Sequence, residues 1–214
     1  MGEVVDFRSA GNTAPCLENG PVSMPKRPKN AALRTREYLT EAEFEKLVVA
    51  AREGRWGSRD AAAVRVAYNH GLRVSELLDL RWSDVDFSKS RLNIRRRKRS
   101  ISGSHALGGA EIRALKILRR KQAEGDWIFN SERGGPMEAS AFRKIIRKAA
   151  ARAGLEKLRV HPHMLRHGCG YKFANRGTDT RVLQDYLGHA RIENTVRYTR
   201  LDASRFRGML TDAD

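Results

Sequence analysis

Cysteine is nearly absent from this chain of 214 residues: Cys16 and Cys169 are the only two. That excludes a disulfide framework and leaves no CxxC-type metal spacing, so both thiols are expected to be reduced and outside the chemistry. Long apolar runs are missing too. No stretch approaches the roughly 20 residues that span a bilayer, and the opening MGEVVDFRSA lacks the basic and apolar regions of a signal peptide. The expectation is a cytosolic chain without a membrane partner. Acidic residues are scarce: 25 Asp and Glu stand against 42 Lys and Arg, a net charge of +17. Solubility does not need so much positive charge, which points instead to a polyanionic partner; charge alone leaves DNA, RNA and an anionic membrane surface open.

The length allows one substantial core. Residues 1–35 hold Gly, Pro, Asn and Ser with little periodicity, as in PVSMPKRPKN, and read as a flexible tail ahead of one domain over residues 36–214. Lys26, Arg27 and Lys29 in that tail are either phosphate contacts or a solvated linker.

Thr40 and Glu43 match a capping box before Phe44, Leu47 and Val48, which predicts the first helix. A second is expected from about Ser58 to His70 with Gly71 as its stop, and a short one over Val74 to Leu80. From Asp84 to Leu107 the pattern changes to strands: RLNIRRRK alternates Leu92 and Ile94 with polar neighbours, and a return run over Ile101 to Leu107 predicts an antiparallel hairpin turning near Arg99 to Ser102. Six of the nine residues from Arg91 to Arg99 are basic, and Arg95, Arg96, Arg97 and Arg99 are expected to be phosphate contacts. Glu111 to Gln122 reads as an amphipathic helix with Ile112, Leu115 and Leu118 inward, closing at Gly125. Phe142, Ile145 and Ile146 mark another, whose Arg143, Lys144, Arg147 and Lys148 face either DNA or solvent. Helices from Pro162 to about Arg176 and from Asp179 to Leu187 stop at Gly177 and Gly188.

Chemistry concentrates between His161 and Tyr198. In HPHMLRHGCGY, His163 and Arg166 fall on one helical face, bringing an imidazole beside a guanidinium. The triplet Leu187-Gly188-His189 follows, and Tyr198 lies nine residues past its histidine. A phenol with a pKa near ~10 is a nucleophile only if something takes its proton, and a neighbouring imidazole can. Attack on a phosphodiester suits the set, because forked guanidinium groups match the charge that develops on phosphoryl oxygens. Arg73 in GLRVSELLDLRW supplies a second fork, with Glu76 close enough to fix its orientation or to form a plain surface salt bridge with it. His163 and His167 lie four apart as in helical zinc sites, but Met164 stands where HExxH has glutamate, so no metal is assigned. His161 and His167 read as structural.

In this order, AYNHGLRVSELLDL, RLNIRRRK, HPHMLRHGCGY and TRVLQDYLGHARIENTVRYT resemble the tyrosine recombinases, or phage integrase family, and among them the small fimbrial phase-variation recombinases. The likeness runs from about Tyr38 to Leu210. It implies a mainly α fold with a small antiparallel β-sheet, the catalytic-domain fold of DNA breaking-rejoining enzymes, ending in a short helix. It also implies Tyr198 as nucleophile, His163 as the group handling its proton, Arg73, Arg166 and His189 as ligands of the scissile phosphate, and Lys98 as general acid, with a plain contact to the DNA backbone as the alternative for Lys98; Lys98 is the only lysine of the basic run, and Lys can give up a proton where Arg effectively cannot. Cleavage would leave a 3′-phosphotyrosyl bond that stores the energy of the broken linkage, so the resemblance implies no cofactor, neither ATP nor metal. Its implied partners are double-stranded DNA, four protomers on that DNA, and accessory DNA-bending proteins; bound to DNA, the chain would be nucleoid-associated. Inversion and integration both remain open as outcomes. A catalytically silent DNA-binding regulator and a type IB topoisomerase-like nicking-closing enzyme are the rival readings. Phe206, Met209 and Leu210 in the C-terminal stretch would pack on a neighbouring protomer or on their own domain.

Overall fold

The Thr40–Glu43 capping box forms as expected: the Thr40 hydroxyl accepts from the Glu43 backbone N–H while the Glu43 carboxylate accepts from the Thr40 N–H, and α1 (Glu41–Arg52) follows. The computed structural model describes residues 36–96, 102–122 and 125–199. The expected N-terminal tail, the hairpin turn with Arg97, Lys98 and Arg99, and the C-terminal apolar stretch lie outside those residues.

Among the described residues the elements are α1, α2 (Gly57–Asn69), α3 (Val74–Leu78), β1 (Val85–Asp86), β2 (Arg91–Ile94), β3 (Gly103–Ala106), α4 (Gly109–Lys121), α5 (Ala139–Arg152), α6 (Pro162–Asn175), α7 (Thr180–Leu187) and α8 (Glu193–Thr199), with 3-10 turns at Trp82–Asp84 and Glu156–Leu158. Alanine-rich α2 is buried along most of its length and packs against α1, α4 and α6. Its small side chains let three helices approach one, which makes it the spine of the main core. Phe44 stacks on Tyr68 with ring centres 3.8 Å apart, and Leu47, Leu77, Leu92, Phe129, Phe142 and Ile146 fill the same interior.

The three strands form one antiparallel sheet in the order β1-β2-β3, with Leu92 opposite Val85 on one side and His105 on the other. Alternation along β2 puts Leu92 and Ile94 inside and leaves Arg91 and Asn93 exposed. One boundary differs from the sequence expectation: α3 ends at Leu78, where the Leu80 N–H turns back to the Leu77 carbonyl and the Leu80 carbonyl accepts from the Ile128 N–H. Helix α4 ends at Lys121, within one residue of the expected Gln122, whose side chain accepts from Trp82 Nε1 and donates to the Ile128 carbonyl.

A second, smaller apolar group is built from α6, α7 and α8: Cys169, Ala174, Leu183, Leu187 and Tyr198, flanked by Tyr171, Phe173 and Tyr186. Glycines in the left-handed region stop the helices that lead into it, Gly71 at φ 58° after α2, Gly177 at 79° after α6 and Gly188 at 63° after α7. Gly71 has a second constraint. A Cβ there would sit 2.4 Å from Leu187 Cδ2, so a side chain at position 71 would have to displace Leu187 from the α7 terminus.

Candidate active site

Glu76 is the centre of the charged part of the site. Its Oε1 accepts from Arg73 NH1 at 2.6 Å, and its Oε2 accepts from the Arg73 backbone N–H at 2.9 Å and from Arg96 NH1 at 3.1 Å. Arg166 NH1 lies 3.8 Å from the same Oε2. One carboxylate, 2% exposed, thus gathers three guanidinium groups from α3, the end of β2 and α6. The expectation that Glu76 orients Arg73 was too narrow, because a residue 20 positions on and another 90 positions on share the carboxylate.

The three arginines differ in exposure. The Arg73 side chain is 39% exposed. Arg166 is 1% exposed and donates to the carbonyls of Gly71 and Leu187, the latter at 2.7 Å, so the two glycine-stopped helix ends converge on its fork. Burial, then the neighbouring Arg73, brings the Arg166 pKa down to about 10, which still leaves it charged at neutral pH. Arg96 requires a correction. Expected to contact DNA, it has a side chain 0% exposed, donates to Glu76 and, at 2.7 Å, to the Tyr186 carbonyl, and is therefore an internal strut. Position 96 continues the inward alternation of Leu92 and Ile94, a signal its charge overrode. Gly188 makes room for it: a Cβ at that position would meet Arg96 Cδ at 2.3 Å. Arg95 points the other way, mostly exposed and paired through Nε and NH2 with Asp84. Arg143, Lys144, Arg147 and Lys148 lie on the exposed side of α5 and are not among the groups around Glu76.

Tyr198 completes the site from α8. Its ring lies over Gly170, where a Cβ would come within 2.8 Å of it, and meets the edge of Tyr171 at 5.2 Å. The residue is 4% exposed, and burial pushes its phenol up to about 12 while Arg166 and Arg197 pull it back. Its hydroxyl is 2.7 Å from Nδ1 of His167. Sequence reasoning gave that proton to His163 and left His167 structural. His163 is instead exposed, its ring standing edge-on to His167 at 4.4 Å. A signal was present: His163, Arg166, His167, Gly170 and Tyr171 follow the three-four spacing of one helical stripe. His189 lies on the other side, its Nδ1 2.9 Å from Thr195 Oγ1 and its ring nearly parallel to that of Tyr198 at 6.2 Å. Cys169 lies beneath, its thiol donating to the Asn69 carbonyl and raised by burial to about 12, so it stays protonated.

Comparison with known proteins places this arrangement. Residues 37–205 match the model of the phage integrase family. The chain belongs to that family. The type 1 fimbriae regulatory protein FimE of Escherichia coli (strain K12) is 44% identical over 180 residues, covering 81% of this chain and 90% of FimE. Tyrosine recombinase XerC of Oceanobacillus iheyensis is 34% identical, covering 71% of this chain and 52% of XerC. The XerH site-specific recombinase, solved bound to its difH substrate, superposes with a TM-score of 0.71 at 20% identity over 85% of this chain and 55% of XerH, a likeness of fold. This integrase-family chain is accordingly a tyrosine-type recombinase, and its mainly helical fold with a small antiparallel sheet is that of the recombinase catalytic domains.

Burial makes the site sensitive to acid. His105, His167 and His189 are each pushed down to about 3, burial being the largest cause in all three. Their folded pKa values fall below the unfolded value near 6.5, so between those limits the unfolded chain binds more protons and stability is lost as pH falls. Each group contributes a slope of up to roughly 1.4 kcal/mol per pH unit. Urea melts at pH 7.5, 6 and 5, a range above the usual carboxylate titrations, should show the midpoint falling steadily; an unchanged midpoint at pH 5 would contradict the neutral burial of these rings.

Proposed function

We propose that this integrase-family chain is a site-specific recombinase of double-stranded DNA, in which Tyr198 attacks a backbone phosphate and leaves a 3′-phosphotyrosyl bond and a free 5′-hydroxyl. Attack by a 5′-hydroxyl of the partner strand on that bond then rejoins the DNA in the new arrangement. Arg73, Arg166 and His189 hold the non-bridging oxygens, and Lys98 protonates the departing 5′-oxygen. The observation that carries this reading is the approach of Tyr198, presented on α8, to the Arg166 stripe of α6, beside the three guanidinium groups around Glu76. Positive charge concentrated next to a buried phenol suits a phosphodiester in water-poor surroundings, where donors aimed at developing charge act most strongly. Arg95, Arg97, Arg99 and the basic side of α5 supply contacts to neighbouring phosphates, setting affinity and register. The resemblance to the fimbrial phase-variation recombinases favours inversion of a segment between short inverted repeats, performed by four protomers on two sites, with accessory DNA-bending proteins bringing the sites together.

The test uses a duplex with an inverted repeat, nicked near the scissile position so that the cleaved fragment diffuses away and traps the adduct. The chain should become covalently joined to the 3′ side of the break, and Tyr198→Phe should reduce that adduct below detection while still shifting the duplex. An adduct persisting in the Tyr198→Phe protein would move the nucleophile elsewhere. Binding without any adduct in the unaltered chain would favour the silent regulator, and relaxation of supercoiled plasmid lacking such repeats would favour the topoisomerase-like reading.

A further inference from the structure

The phenol of Tyr198 ends on an imidazole to which the family resemblance assigns no part in the reaction. His167 is buried one turn beyond His163, and its Nδ1 is 2.7 Å from the hydroxyl. The ring of Tyr198 rests against the bare backbone of Gly170 and the edge of Tyr171. A neutral imidazole protonated at Nε2 presents a lone pair at Nδ1, the partner a phenolic O–H requires. His163 has solvent on one side and the His167 ring on the other, and makes no hydrogen bond with the phenol among the described residues.

We propose that His167 takes the proton of Tyr198 as the phenol attacks phosphorus, and so acts as the general base of the reaction proposed above, on which this inference rests. In that step a lone pair of the phenol oxygen forms the O–P bond and the phenol proton passes to His167 Nδ1. The P–O5′ bond breaks with its electron pair on the 5′-oxygen, which takes a proton from Lys98. Rejoining reverses each transfer: the imidazolium returns its proton to the leaving phenolate, and Lys98 accepts that of the attacking 5′-hydroxyl.

The surroundings of His167 also explain why the phenol is not ionised prematurely. Burial is the main thing opposing a positive charge on the ring, and His163 and Arg166 on its own helix, Arg197 on α8 and His161 at the helix start oppose it further. Tyr198 on α8 is the group it touches, with His189 and Arg73 beyond. A phosphodiester arriving between Arg73 and Arg166 brings a negative charge that offsets these cations. His167 becomes a competent base only when the phosphate to be attacked is in place.

Adduct formation on the nicked duplex in single turnover, followed from pH 5.5 to 9, tests this. His167→Gln can bond the phenol but cannot take a proton; it should be at least about 100-fold slower at pH 7, bind DNA normally, and speed up with rising pH where the unaltered chain is flat. Added imidazole should restore much of the rate to His167→Ala, which serves as the second variant should His167→Gln not fold. A duplex with sulfur replacing the 5′-bridging oxygen needs no proton on its leaving group, so it should rescue Lys98→Ala and leave His167→Gln slow. Near-normal rates and a flat pH profile in His167→Gln, or rescue of that variant by the sulfur substrate, would overturn the proposal. The proposed reaction itself would fail differently, through an adduct that survives Tyr198→Phe.

Discussion

Replacing Glu76 with alanine is expected to destabilise the fold by about 3 to 5 kcal/mol, the range for breaking a buried ion pair by removing one partner. Arg96 and Arg166 are both buried beside this carboxylate, and without it their charges face each other and Arg73 in a low-dielectric interior. The loss extends to the backbone, since Glu76 Oε2 also accepts from the Arg73 N–H at the start of α3. Glu76→Gln should cost nearly as much, because it keeps the shape but removes the charge and sets an NH2 donor where a carboxylate oxygen accepted from arginine N–H groups. Denaturant melts of the two variants check this, and a domain of this size should lose roughly 10 °C in thermal midpoint. A loss under about 1 kcal/mol would mean that the three guanidinium groups are held apart by something other than their shared carboxylate.

The second large effect separates two arginines that look alike in sequence. Arg73→Ala should slow adduct formation by about 10²- to 10³-fold, the cost of removing one donor to developing charge, with little change in stability. Its side chain is partly exposed and its departure leaves Glu76 still bonded to Arg96. Arg166→Ala should lose at least as much activity and stability as well, because the Gly71 and Leu187 carbonyls lose their buried donor. Arg166→Lys distinguishes charge from shape: a single ammonium retains the charge but not the planar fork that reaches both carbonyls. Cleavage rates and melts on the same three proteins decide the matter. Equal destabilisation by Arg73→Ala and Arg166→Ala would contradict the different burial of the two side chains.

Much of the fold was legible because its signals are local. A hydroxyl and a carboxylate three residues apart marked the start of α1, glycines marked the ends of α2, α6 and α7, and period-two alternation placed Leu92 and Ile94 inward. Each is a relation between residues within about one turn or one strand pair, which is the range over which chain geometry leaves few choices. The early end of α3 was not legible, since Leu80 pairs with Ile128, a residue brought in by folding.

For the site, the sequence alone determined the family and the chemical inventory: a phenol, forked cations and imidazoles, spaced so that each could be named. It also placed His163, Arg166 and His167 on one stripe, since helical periodicity leaves no other arrangement. Tertiary structure decided which of those groups meet. It turned Arg96 inward under Gly188, made one carboxylate the partner of three arginines, and put the hydroxyl of Tyr198 on His167 instead of His163. Apart from Arg73 with Glu76, these contacts join residues 20 to 92 positions apart along the chain. Pairings over such distances are settled by how helices pack, and no rule of local spacing encodes that.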